Sequence, residues 1–214
     1  MATRIAADHG KTSYSGVLEK IKGQANILKW KLRGKPLPPP HAIKVDVISN
    51  AARKFGCKTL VETGTYLGDM IARTRHLFVR LYTIEVDPQL YQKARTRFEN
   101  DSAISVLLGD STNELPKILS QLTTPAIFWL DGHYSGGCTG RGALDTPVQA
   151  EVEMILRHHV QGHVILVDDA RLFTGTSDYP SLDSFRDQLL KLKTNYTFSV
   201  DTDIIRFEPP SKSI

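Results

Sequence analysis

This sequence predicts an α/β protein built on a doubly wound, seven-stranded, mainly parallel sheet, and three observations carry that reading. Five short apolar runs between Thr59 and Val167 are each followed by a stretch of helical periodicity. Each run also ends in an acid: Glu62, Glu85, Asp110, Asp131 and the pair Asp168-Asp169. Two further runs, 196–200 and 204–207, are separated only by Asp201-Thr202-Asp203, which is too short for a crossover, so that pair is antiparallel. Strands alternating with helices give a mainly parallel sheet with right-handed crossovers, and such sheets bind ligands outside the carboxyl ends of their strands.

Taken in order, residues 1–15 have no periodic pattern and are expected to form a loose tail. From about Gly16 the positions Val17, Ile21, Ala25, Leu28 and Leu32 step by three and four, one face of a helix that ends near Gly34. Pro36-Leu37-Pro38-Pro39-Pro40 cannot continue it and reads as a stiff spacer. A second helix places Ile43, Val47, Ile48 and Ala51 inward and stops before Gly56. The expected division is a helical cap with a Pro-rich linker over 1–45 and a ligand-binding domain over 46–214. Strands follow at about 59–63, 81–87, 104–108, 126–130 and 164–167. The helices between them cover about 67–77, 88–100, a stretch around Leu115–Leu122, and 147–159, with another at 181–193. Ala126-Ile127-Phe128-Trp129-Leu130 is almost wholly apolar, as a strand covered on both faces must be. A glycine-rich loop runs from Gly132 to Gly142, and Glu151 and Glu153 on the next helix read as solvent-facing.

The 214 residues contain no apolar run of transmembrane length, and the N-terminus lacks the apolar core of a secretory signal. Cys57 and Cys138 lack metal-ligand spacing and read as free thiols, so the expected compartment is the cytosol. The formal net charge is +4, and Lys20, Lys22, Lys29, Lys31, Arg33 and Lys35 are uninterrupted by acids. That stretch could draw an acidic substrate or a membrane surface, but a solvated helix face is the simpler reading. Elsewhere no broad basic surface with interleaved aromatics points to nucleic acid. The spacer would let the first helix dock on a neighbouring subunit, so a homo-oligomer is an open expectation.

The chain is organised around Thr59–Asp69, an apolar strand that stops at Glu62, turns at Gly64 and opens a helix after Gly68. Glycine lets backbone approach a ligand closely. Glu85 follows about 20 residues after the turn, placed to take both hydroxyls of a ribose. The turn reads E-T-G-T-Y-L-G and lacks the phosphate-facing second glycine of G-x-G-x-x-G, and Glu62 would repel a pyrophosphate. The ligand therefore carries a ribose and a positive charge but no phosphate.

With those motifs in hand, the chain resembles the class I S-adenosylmethionine (SAM)-dependent methyltransferases, with a Rossmann-like sheet, over about 55–208. E-T-G-T-Y-L-G (62–68), I-E-V-D-P (84–88), G-D-S (109–111) and F-W-L-D-G (128–132) are similar to that superfamily's first four motifs. The resemblance implies SAM held by Glu62, Thr63, Gly64, Thr65, Tyr66, Gly68, Glu85, Val86, Gly109, Asp110, Ser111 and Asp131. A narrower resemblance links Asp131, Asp168 and Asp169 to the metal triad of cation-dependent O-methyltransferases of the catechol and macrolide-sugar types. It implies Mg²⁺ binding a hydroxyl of a small-molecule or glycosidic acceptor, with Asp131 and His133 as catalytic residues and His133 the base. The sequence departs from those families in the long insert after His133, and Arg171 could instead pair with Asp168 or Asp169. A metal-independent methyltransferase, and a non-catalytic binding protein acting through the basic first helix, stay open as alternatives.

Overall fold

The computed structural model describes residues 11–132, 147–176 and 178–211, with side chains from residue 21 onward. Helices α1 (Lys11–Leu32) and α2 (His41–Phe55) precede β1 (Thr59–Thr63). Then come α3 (Asp69–Thr74), β2 (Arg80–Glu85), α4 (Pro88–Arg97), β3 (Ile104–Leu108), α5 (Ser111–Leu119) and β4 (Ile127–Leu130). The chain continues through α6 (Val148–Arg157), β5 (Val164–Val167), α7 (Leu182–Leu192), β6 (Thr197–Asp201) and β7 (Ile204–Glu208). All strands lie in one sheet of order β3-β2-β1-β4-β5-β7-β6, with β7 antiparallel to both β5 and β6 and every other pairing parallel. The expected seven-stranded, mainly parallel sheet is thus the observed one.

Side chains alternate across a strand, so each apolar run feeds two cores. From β4, Phe128 and Leu130 join Leu115, Ile118, Val152, Ile155, Phe185 and Leu189 of α5, α6 and α7. Ile127 and Trp129 face the other way, onto Val47, Ile48, Ala51, Met70 and Ile71 of α2 and α3. Val164 and Leu166 of β5 share that second face, while Ile165 and Val167 share the first. A strand buried on both faces needs this continuous apolar run. Gly56, at φ +69°, closes α2 by donating its N–H to the Ala52 carbonyl.

The N-terminal helix differs from its sequence reading at its start. It starts by Lys11, where a loose tail over 1–15 was expected; an established helix extends at the cost of one residue per added hydrogen bond and does not need an apolar stripe in every turn. Its apolar face is not covered: Ile21, Leu28 and Leu32 are exposed, while Trp30 is buried, its indole N–H donating to the Pro36 carbonyl. Among the described residues no helix is long and apolar enough to cross a membrane.

Candidate functional site: the strand-end rim

The first βα turn is pinned to the neighbouring strand. Gly64 and Thr65 donate their N–H groups to the Ile84 carbonyl at 3.0 and 3.2 Å. Gly64 has φ +88°, and a Cβ there would sit 2.4 Å from the backbone oxygen of Asp131. Any side chain at this position would collide with backbone, which cannot swing away, so glycine is required by both conformation and space. The β1 turn and the end of β4 are therefore in direct contact, a junction reinforced by Asp131 N–H donating to the Thr63 carbonyl.

Glu62 is buried at the end of β1 and accepts from the Thr83 hydroxyl at 2.6 Å, and Thr83 in turn lies 2.6 Å from the Thr65 hydroxyl. Burial, with the Glu85 charge adding to it against the Thr83 hydrogen bond, pushes the Glu62 carboxyl up to about 8. Glu85, at the end of β2, accepts from Tyr66 N–H at 2.8 Å and Asp87 N–H at 3.0 Å through different oxygens. Its carboxyl is also raised, by burial first. The two backbone donors fix its orientation and leave lone pairs for a hydroxylated ligand. Tyr66 takes φ +47° and exposes its ring beside Leu67, Gly68 packs against the Phe98 ring, and Val86 is half-buried. Beyond β3, the Gly109 N–H donates to the Glu85 carbonyl. Asp110 then caps α5, accepting from the Thr112 N–H and hydroxyl, and Ser111 is buried behind it.

Across β4 the rim changes character. Asp131 and Gly132 line a small cavity with Leu130, Val148, Glu151, Val167, Asp168 and Tyr179. The Asp168 side chain is wholly buried and paired with the Lys44 ammonium from α2; its other oxygen accepts from the Asp169 N–H at 2.9 Å. Asp169 takes a left-handed conformation and pairs with Arg171 at 2.6 Å, and Arg171 also pairs with Asp203. Burial and the Asp168 charge hold the Asp131 carboxyl well above the ordinary range, against the opposing pull of Lys44. Asp168 is raised by burial first, again against Lys44; burial pulls the Lys44 ammonium down, but the three acids together outweigh it and raise it.

The structure thus gathers Glu62, Thr63, Gly64, Thr65, Tyr66, Gly68 and Glu85 around one turn, with Gly109–Ser111 on one side and Asp131 on the other. It does not bring Asp131, Asp168 and Asp169 together as a metal-ligand set: Asp168 is held by Lys44 and Asp169 by Arg171, and no group of three or more metal-ligating residues forms among the described residues. His133, Cys138 and most of the insert lie outside the described residues.

Two site residues escaped the sequence reading. Glu151 was read as solvent-facing, yet it is 1% exposed and burial pushes its carboxyl up to about 7. The Ser111 and Thr63 hydroxyls oppose that shift as hydrogen-bond partners of the carboxylate. The signal was available, since Glu151 follows Val148 by three and precedes Ile155 by four, which puts it on the inward stripe of α6. Lys44 likewise precedes Val47 and Ile48 by three and four on α2, a cation on a buried face.

No protein-family model matches the chain, and no curated protein matches it in sequence. Solved structures do. The chain is similar to an O-methyltransferase from Bacillus cereus in complex with SAH, at 17% identity and TM-score 0.59, over 95% of this chain and 92% of that one. It is similar to the SAH-bound methyltransferase PaMTH1 from Podospora anserina, at 15% identity and TM-score 0.58, over 98% and 100%. A third is the O-methyltransferase TomG from Streptomyces achromogenes in complex with SAM, at 16% identity and TM-score 0.56, over 88% and 89%. The chain has the fold of the SAM-dependent O-methyltransferases.

Proposed function

We propose that this protein transfers the methyl group of SAM to a hydroxyl oxygen of a small-molecule or glycosidic acceptor. The observation that carries the proposal is the β1–β2 rim: two buried acids around a turn that only glycine can make, in a sheet whose fold is that of O-methyltransferases. The residues suit SAM. Glu85, held by backbone donors, offers oxygens to ribose hydroxyls; the buried Thr63 hydroxyl, next to Gly64 and Gly132, suits the polar methionine end; Gly109, Asp110 and Ser111 border the adenine side. Bound SAM supplies an electrophilic methyl group on a sulfonium.

The remaining steps fall to the chain. The β1 turn orients the ligand, and the cavity lined by Asp131, Glu151 and Tyr179 receives the acceptor hydroxyl. A base then takes the hydroxyl proton as the oxygen attacks. His133 is the proposed base, and Asp131 borders both halves of the site. Mg²⁺ is not carried into this proposal, because Lys44 and Arg171 hold two of the three carboxylates that would bind it. This favours the metal-independent alternative. Calorimetry with SAM, with and without Mg²⁺, tests both points. Micromolar binding unaffected by Mg²⁺ is the expected result, and absence of SAM binding refutes the function.

A further inference from the structure

We propose that Lys44 is the resident cation of the β4–β5 acid cluster and occupies the place that a divalent metal would take, so that this site excludes metal ions. Four features lead there. The Asp168 side chain is wholly buried, and an isolated buried carboxylate is costly unless a cation or a dense set of donors meets it. Lys44 is the cation that meets it, and its charge also acts on Asp131 and Asp169. The ammonium is not a chance surface contact, because Lys44 lies on the α2 stripe whose next turn, Val47, Ile48 and Ala51, is packed beneath β1, β4 and β5. The docking of that helix holds the cation at the strand ends. A third carboxylate, Asp169, is committed to Arg171, which in turn is held by Asp203 from the β6–β7 turn. Each acid that could chelate a metal is thus met by a side-chain cation or shares the charge of one. A tethered ammonium does what a bound ion would do for charge balance, but offers hydrogen-bond donors where an ion offers open coordination positions.

This deepens the reading above, on which its catalytic meaning rests, but its test does not involve methyl transfer. Mn²⁺ is titrated into the whole chain and into Lys44→Met and Lys44→Arg without SAM, with the EPR signal of free Mn²⁺ as the readout. Thermal melts are run in Mg²⁺ and in EDTA. Wild type and Lys44→Arg are expected to leave Mn²⁺ free and to melt at the same temperature in both buffers. Lys44→Met is expected to melt lower and to take up Mn²⁺ at least about tenfold more tightly than wild type. Uptake of one equivalent by wild type, with a Mg²⁺-dependent rise in its melting temperature, overturns the proposal. So does a folded Lys44→Met that takes up no Mn²⁺. Should Lys44→Met fail to fold while Lys44→Arg folds and wild type leaves the ion free, the cation's role in neutralising Asp168 is upheld. Calorimetry of SAM on the same wild-type sample reports separately on the proposed function, so either idea can fail without the other.

Discussion

The two halves of the strand-end rim bury acids by opposite means. At β1 and β2, Glu62 and Glu85 are met by hydroxyls and backbone N–H groups, and burial raises both carboxyls. At β4 and β5, Asp168 and Asp169 are met by the cations Lys44 and Arg171. The first half thus lowers the charge of its acids by holding protons rather than by bringing in cations. The second half meets its acids with two side-chain cations, Lys44 for Asp168 and Arg171 for Asp169 and Asp203. One rim therefore carries two differently balanced groups of acids side by side.

The contrast can be broken most severely at the junction between the halves. Gly64→Val places a branched side chain at φ +88° against the Asp131 backbone. The expected loss is about 4 kcal/mol of stability in urea unfolding, together with loss of detectable SAM binding by calorimetry. Lys44→Met leaves Asp168 buried and unpaired, and should cost about 3 kcal/mol. Adding Asp168→Asn to that variant should restore more than half, and a double-mutant cycle with no coupling would show that the two charges do not depend on each other.

A pH titration of stability sharpens the other half. The folded value for Glu62, about 8, exceeds its ordinary 4.5, so the folded state holds the proton more tightly. The stability this contributes is complete below the unfolded value and is lost as pH rises toward 8. Glu62→Gln keeps an acceptor for Thr83 and should flatten that slope, leaving the variant more stable than wild type under alkaline conditions by roughly 2 kcal/mol. Equal slopes in the two proteins would place the proton elsewhere. The smallest effect is expected from Arg171→Ala, at about 1 kcal/mol, because solvent screens a side chain one-third exposed.

Most of the fold was legible because two local signals agree at the five parallel strands: a short apolar run and an acid at or just past its carboxyl end. Both are properties of neighbouring residues, so Glu62, Glu85 and Asp131 could be placed on the rim without knowing the sheet order. What stayed hidden depends on distance along the chain. Lys44 meets Asp168 across 124 residues, and no local pattern in α2 announces a partner so far away. Glu151 was hidden for a different reason: a single acid on an amphipathic helix is usually solvated, and only its register with Val148 and Ile155 marks it as inward. The exposed stripe of Ile21, Leu28 and Leu32 makes the converse point. Periodicity identifies an apolar face but does not say what covers it.

The span between Lys44 and its acid also bears on the order in which the molecule is made. During synthesis the lysine emerges early, and the acid it pairs with follows only after β5. Contacts of such long sequence separation form late and slowly in folding. The Lys44–Asp168 pair is therefore a closing latch: a chain that ends before β5 carries α2 without the ion pair that fastens it to the sheet.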